Sequence, residues 1–134
     1  MATKRMLPDT VTVFNYMGEF NDVAKWQKTV IEHCYCPVTI GANENMQGHV
    51  KGDSARLYIF DANSVAMSEH GQKRTFLPFD EWKYLDDKTP YWTISDKGTD
   101  YFYKDGCPVK FKIKRFAHKV AGTRRMWHFE VDGS

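Results

Sequence analysis

The stretch from residue 91 to residue 113 reads YWTISDKGTDYFYKDGCPVKFKI, and it decides the fold of this chain. Its aromatic and β-branched residues gather in three short runs, 91–94, 101–103 and 109–113, and a fourth run follows at 126–131. Such side chains fit a pleated, half-buried surface, and the Lys-Gly and Asp-Gly steps between the runs supply the positive φ that tight turns need. The pattern predicts a mainly β fold, a small antiparallel β-barrel or sandwich.

Three further strands are predicted on the N-terminal side of this stretch. Residues 10–16 alternate between apolar and polar positions, as a half-buried strand does. Residues 26–36 are interpreted as a long strand rather than as part of a helix over 22–32, because a Thr-Val-Ile triplet is disfavoured in helices. Residues 55–60 make the third strand, and 17–22 are predicted to form a turn or loop.

The remaining segments predict one short helix, one long loop and one arm. The helix is expected at about 78–85, where Pro78 and two acidic residues occupy the first turn. The loop is expected at about 41–54, which is rich in Gly and Asn and has little periodicity. Residues 1–9 are expected to be a flexible N-terminal arm of a single domain that spans 1–134.

Composition narrows the class of protein. A chain of 134 residues makes one domain, and no apolar run is long enough to cross a bilayer. The N-terminus has basic residues but no apolar segment behind them, so we expect no signal peptide and synthesis in the cytoplasm. Three cysteines are an odd number, which favours reduced thiols over a disulfide framework.

Motifs for catalysis and for cofactors are missing from the sequence. The five histidines lie in five separate segments, and no His-Glu-x-x-His or paired Cys motif occurs. The glycine-punctuated segment 48–54 lacks the spacing of a phosphate-binding P-loop, and no serine has a Gly-x-Ser-x-Gly setting. We therefore expect a protein that is not an enzyme and that has no cofactor, no catalytic residue and no metal site.

Charge is unevenly distributed along the chain. Residues 104–134 hold eight Lys and Arg against three Asp and Glu, a net +5, and residues 1–103 carry −3. Lys110, Lys112 and Lys114 recur with period two, so they share one strand face. That face is either an ordinary solvated surface or a basic strip that meets phosphate or an acidic protein. Aromatic residues do not alternate with these lysines, so stacking of single-stranded nucleic acid is not indicated.

The order of these features resembles that of minor capsid or neck proteins of tailed phages that infect Gram-positive bacteria. The resemblance runs from about residue 10 to the C-terminus. It rests on the ordered elements 11–15, 26–31, 56–60, 78–82, 91–106 and 126–131. Trp127, in the last of these elements, is expected in the core.

The resemblance implies a head-closure or connector subunit of the phage neck. Such a protein forms a ring with itself, with six copies preferred and twelve possible, between a portal or adaptor protein and a tail-terminator protein. The ring closes the channel that holds packaged double-stranded DNA, without contact to a membrane. The protein would be found in the virion and, during assembly, in the host cytoplasm. The candidate interface or channel residues are Asn43, Glu44, Asn45, Met46, Gln47, His49, Lys51, Lys110, Lys112, Lys114, Arg124 and Arg125.

Two alternatives remain open from the sequence. The first is a tail-terminator or tail-completion protein of the same virion, which would share the barrel and differ in position. The second belongs to another class, a cytosolic enzyme or nucleic-acid-binding β-barrel. In the nucleic-acid-binding case the lysine strip would contact phosphates, and binding would fall steeply with salt.

Overall fold

The computed structural model of the protein describes residues 7–40, 53–78, 89–97 and 99–134. Within these ranges the chain is mostly β, which confirms the predicted fold class. A single turn of 3-10 helix, Arg124–Met126, precedes the last strand. The strands are β1 (Asp9–Phe20), β2 (Val23–Cys34), β3 (Val38–Thr39), β4 (Ser54–Phe60), β5 (Val65–Ser68), β6 (Thr75–Phe76), β7 (Tyr91–Trp92), β8 (Tyr101–Lys104), β9 (Phe111–Lys119) and β10 (His128–Gly133).

Eight of these strands form one antiparallel sheet that curls into a half-barrel. Their order is β3-β4-β10-β9-β8-β1-β2-β5. Strand β9 joins the two parts of the sheet, because its first residues pair with β8 and the rest of it pairs with β10. The register shifts next to Lys114, so that an extra residue lies in β9 where the sheet bends. The short parallel pair β6–β7 packs against Phe129 through Phe76, whose ring centroid is 4.6 Å away.

The core lies inside the curl and is built by alternate residues of the strands. Val11 and Val13 on β1 are fully buried, and so are Phe111 and Ile113 on β9. The core cluster also contains Ile31, Leu57, Trp92, Ile94, Phe102, Phe129 and Val131. The predicted period-two patterns of these strands are therefore confirmed.

The connection between β1 and β2 is much shorter than the predicted loop at 17–22. Strand β1 continues to Phe20, and the turn consists of Asn21 and Asp22 alone. Both have positive φ, 53° and 63°, as a two-residue type I′ turn requires. Gly18 does not make the turn but a β-bulge, with φ 95° and a register shift between Tyr16 and Glu19.

Strand β2 confirms that residues 26–34 are β rather than helical, and it ends two residues before the predicted boundary at 36. A second bulge lies near its end, where His33 adopts φ 58° and is the extra residue between two paired positions. Past this bulge Cys34 and Cys36 are both buried, and all three cysteines are free thiols. Burial raises the pKa of each of these two thiols to about 12, so neither is a reactive thiolate at neutral pH.

Two of the predicted strands have different boundaries in the structure. Only Tyr91 and Trp92 of the run 91–94 form a strand, although Thr93 and Ile94 are buried. In the run 126–131, Met126 belongs to the 3-10 turn, and Trp127 is half-buried rather than in the core. A hydrogen bond from the indole to the Gly122 carbonyl at 3.3 Å keeps it at the surface.

Three predicted features fall wholly or partly outside the described residues. The helix at 78–85 and the loop at 41–54 lie there except for Pro78, Asp53 and Ser54, and Ser54 already belongs to β4. Of the predicted arm at 1–9, residues 1–6 lie outside the described residues. Leu7 is only 2% exposed and Asp9 begins β1, so the ordered sheet starts within that segment.

Candidate interaction surface

The outer face of the half-barrel carries a row of rings and lysines across four neighbouring strands. Directly opposed residues form the row Lys112, Tyr101, Phe14 and Lys28. Adjacent strands lie about 4.8 Å apart, so about 14 Å of sheet separates the two lysines at the backbone. We call the wider surface around this row the aromatic–lysine face. It consists of Phe14, Tyr16, Trp26, Lys28, Tyr101, Tyr103, Lys110 and Lys112.

The two central rings of this face are packed between ammonium groups. The ring centroids of Phe14 and Tyr101 are 4.6 Å apart, with an interplanar angle of 10°. The Lys28 Nζ lies 5.6 Å from the Phe14 centroid, and the Lys110 Nζ lies 5.0 Å from the Tyr101 centroid. Phe14 on β1 lies between Tyr101 on β8 and Lys28 on β2, and the other neighbour of Tyr101 is Lys110, which immediately precedes β9. Phe14 is only 6% exposed, so the surface left for a partner consists of the part-exposed Tyr101 ring and the ammonium groups.

Trp26 and Tyr16 extend the face towards the β1–β2 hairpin. Trp26 meets Tyr16 and Tyr101 edge-on, at centroid distances of 5.2 and 5.0 Å. Beside these rings lies an open groove of about 560 Å³, which we call the lysine groove. It is lined by Tyr16, Trp26, Thr99, Tyr101, Lys110, Lys112 and Ser134. None of these described lining residues has an acidic side chain.

A buried carboxylate on the inner side fixes the start of β8 beneath this face. Asp100 accepts hydrogen bonds from the Tyr16 N–H at 2.9 Å, from the Asn15 Nδ2 at 2.9 Å and from the Ser95 N–H at 3.1 Å. Burial raises the pKa of the Asp100 carboxyl, and these hydrogen bonds oppose that rise. Because Asp100 precedes Tyr101, the cluster ties β8 to β1 where the two central rings stack.

A second buried polar contact explains why β2 looked ambiguous in the sequence. Gln27 and Thr29 point inward with Ile31, although both are polar. Arg74 donates to the Thr29 Oγ1 at 3.0 Å and to the Lys28 carbonyl at 2.8 Å. These polar side chains hold the segment 74–78 and the residues around Tyr91 against the open side of the half-barrel.

The predicted site residues do not all come together. Lys110 and Lys112 line the lysine groove, and Lys114 lies at the register shift where β9 leaves β8. Arg124 and Arg125 belong to the exposed 3-10 turn, away from this groove. The other predicted residues lie outside the described part of the chain: Asn43, Glu44, Asn45, Met46, Gln47, His49 and Lys51.

The pattern of the lysines did not predict that aromatic residues of other strands share their face. It concerns alternation within one strand, whereas the rings come from the neighbouring strands β8, β1 and β2. Sequence reasoning thus missed five aromatic candidates for function: Phe14, Tyr16, Trp26, Tyr101 and Tyr103. The alternation of β1 predicted that Phe14 and Tyr16 lie opposite Val11 and Val13, but the pairing of the strands was needed to bring the other rings beside them.

A second cavity, of about 290 Å³, lies between β4, β9 and the β6–β7 pair. His118 stacks on Phe129 at 3.9 Å, and its Nε2 lies 2.8 Å from an Asp61 carboxylate oxygen. Ser64 is nearby, but its hydroxyl donates to the His33 carbonyl at 2.6 Å and accepts from the Phe60 N–H at 2.9 Å. The hydroxyl proton is therefore committed to the backbone, and the three side chains do not make a nucleophilic triad.

The described residues offer neither a cluster of metal ligands nor a helix that could span a membrane. In the ranges that the structure describes, no three His, Cys, Asp or Glu side chains are placed to hold a metal ion. No helix in those ranges has the length and hydropathy needed to cross a bilayer. The aromatic–lysine face with its groove is therefore the strongest candidate site among the described residues.

Comparison with known proteins places the chain in a family. Residues 6–134 match the model of a family of unknown function, DUF6751. Curated proteins give no match, and solved structures give none.

Proposed function

The chain belongs to the DUF6751 family, whose function is unknown, and we propose that it is a structural subunit of a tailed-phage virion. In this proposal it is a head-closure or connector subunit that forms a ring in the neck. The ring joins the portal or adaptor protein to the tail-terminator protein around the packaged double-stranded DNA. The resemblance of the sequence motivates the choice of assembly, and the aromatic–lysine face carries the physical argument.

The face supports docking to a protein because its chemistry is that of an interface. Tyr and Trp are enriched at the centre of protein interfaces, where a large ring is buried at a small entropic cost. Here the rings are held in place by one another and by the sheet. Little side-chain conformational entropy is therefore lost on docking. A rigid surface that presents ring edges and ammonium groups suits an acidic partner.

The distribution of charge supports the same proposal. The basic residues of 104–134 lie largely on β9, around the 3-10 turn and beside the lysine groove, whereas residues 1–103 are net acidic. Unlike charges on different parts of one subunit favour heterologous contacts between copies, which generate a ring when the rotation between copies closes.

The proposal is tested by locating the protein in particles. Particles are purified by density gradient from cells that carry the gene, and their proteins are identified by mass spectrometry. The expected result is that the chain is a constant component and that a cryo-EM map places it as a ring on the portal side of the tail tube. Absence from particles, together with a strictly monomeric state in the presence of the neighbouring neck proteins, would contradict the proposal. A position at the end of the tail tube would favour the tail-terminator alternative.

A nucleic-acid-binding β-barrel is the second candidate, because lysines and rings do share one face. The covered faces of Phe14 and Tyr101 count against base stacking, which needs an open ring face. Fluorescence anisotropy with a labelled oligonucleotide separates the two candidates. Binding whose affinity falls steeply with salt and is lost in Lys112→Glu would favour the nucleic-acid function.

A further inference from the structure

We infer that the tip of the β1–β2 hairpin of one copy docks into the lysine groove of a second copy. The tip consists of residues 18–24. The inference deepens the proposed function, on which it rests, by naming the partner of the groove as another subunit of the same ring.

The tip has the negative charge that the side chains of the groove lack, and an apolar side chain that can pack against the rings of the groove. Glu19 and Asp22 are exposed, and neither makes an ion pair within the described residues. Val23 is 63% exposed, an unusual state for a valine in a strand. The tip therefore presents two carboxylates around an apolar side chain, which complements two ammonium groups beside Trp26 and Tyr101.

The tip extends beyond its neighbours in the sheet. Strand β8 pairs with β1 only over Val11–Phe14, and β5 pairs with β2 only over Thr29–Glu32. Past these positions the two strands pair with each other, and the bulge at Gly18 changes the direction of β1. Such a hairpin projects from the half-barrel, where a neighbouring copy can reach it.

We assign the contact to two copies because the pairing of β1 with β2 holds the tip away from its own groove: Glu19 and Val23 lie three residues from Tyr16 and Trp26, and the turn lies further out. Tyr16 and Trp26 form part of the groove wall, and the turn at Asn21 lies five residues further along the strand. At about 3.4 Å per residue this places the turn roughly 17 Å from its own groove. A tip that enters the groove of the next copy makes a heterologous contact, and repeated heterologous contacts generate a ring when the rotation closes.

Cysteine trapping tests this contact directly. Two chains are made in a Cys107→Ser background, one with Val23→Cys in the tip and the other with Ser134→Cys in the groove wall. Cys34 and Cys36 stay silent because they are buried. Docking raises the local concentration of the two thiols, so mild oxidation of the mixture should give at least about tenfold more covalent heterodimer than the control pair. The control replaces Val23→Cys by Val120→Cys, at a position that is 54% exposed.

A charge exchange adds a second readout. Glu19→Lys in the tip chain or Lys112→Glu in the groove chain should each reduce trapping to the level of the control. Combining the two changes in the mixed pair should restore it, because the ion pair is rebuilt with reversed sign. The inference would be overturned if the Val23→Cys and Ser134→Cys pair, without any charge change, gave no more covalent heterodimer than the control pair.

Particles separate this inference from the proposed function. A chain with both Val23→Cys and Ser134→Cys should give a ladder of covalent oligomers in oxidised particles. If the chain is present in particles but gives no ladder, the docking contact is wrong and the neck function stands. If the chain is absent from particles and the purified protein does not assemble, the neck function fails and the inference fails with it.

Discussion

The two faces of the same strands are built on different principles. On the inner face, Val11, Val13 and Phe102 are fully buried and contribute to one apolar core. On the outer face, Phe14 stacks on Tyr101 and meets Tyr103 at a tilt, so that it is only 6% exposed, and in the part of the chain that the structure describes no second sheet covers these rings. The inner face is what folding requires. The outer face concentrates more aromatic surface than folding requires, which is why we assign it to docking.

The largest contrast is expected between two neighbours on β8 that point to opposite faces. Phe102→Ala removes a fully buried ring and should lower the free energy of unfolding by about 3–5 kcal/mol. Tyr101→Ala removes outer ring contacts and should cost only about 1–2 kcal/mol. Urea unfolding of both variants measures the difference. Equal losses would mean that the outer rings form a second core rather than an interaction surface.

A smaller loss is expected from overfilling the inner face. Gly133 leaves space for the ring of Phe102, because a Cβ there would lie 2.7 Å from that ring and 2.7 Å from the Phe111 Cβ. Gly133→Ala should therefore cost about 1–3 kcal/mol, since both neighbours are fixed in the core. Thermal unfolding provides the measurement. The exposed neighbour Ser134→Ala is the matched control, and a change as small as in that control would show that the core can adjust around residue 133.

The carboxylate that links the two faces should give a loss that depends on pH. Asp100→Asn places an amide N–H against backbone donors and should cost about 1–3 kcal/mol. The folded state raises the pKa of Asp100, so it holds the proton more tightly than the unfolded chain does. The stability contributed by the protonated form is therefore lost as pH rises above about 3.9, the usual value for Asp.

Urea unfolding of the wild type and of Asp100→Asn between pH 3 and pH 7 checks the sign of this effect. The variant lacks the titrating group, so the stability difference between the two proteins should be largest at low pH and should narrow as pH rises. A difference that widens with pH would mean that hydrogen bonding to the carboxylate outweighs its burial.

The strands and their buried sides are predictable from the sequence alone, whereas the arrangement of the outer face is not. The alternation of Val11 with Thr12 and of Phe111 with Lys112 was enough to predict strands and their buried sides, because period two is a local property. The row Lys112, Tyr101, Phe14 and Lys28 was not predictable in the same way. It depends on which strands are neighbours and in which register, and both are set by long-range pairing.

Local signals also failed in two places for physical reasons. Glycine marks many turns, so Gly18 suggested that the loop began early, whereas it forms a bulge and Asn21 with Asp22 makes the turn. Thr29 is polar and buried, so the sequence did not indicate which side of β2 faces the core. The hydroxyl of Thr29 accepts a hydrogen bond from Arg74, a partner that the sequence alone does not identify. In the first case the register of β1 with β2 determines where the turn lies. In the second case a hydrogen bond from Arg74, which is distant in sequence, allows Thr29 to be buried.

The smallest effect on folding, and the most direct test of the outer face, is expected for Lys112→Glu. Lys112 is exposed, so the change should alter the free energy of unfolding by no more than about 0.5 kcal/mol. The measurement is the amount of the variant incorporated into particles relative to the wild type, with Lys73→Glu, beside the edge strand β5, as the matched charge control. We predict a loss of about tenfold or more for Lys112→Glu, which corresponds to ~1.4 kcal/mol of docking free energy, and near-normal incorporation of the control. Full incorporation of a folded Lys112→Glu variant would contradict the assignment of the aromatic–lysine face as the surface through which this protein assembles.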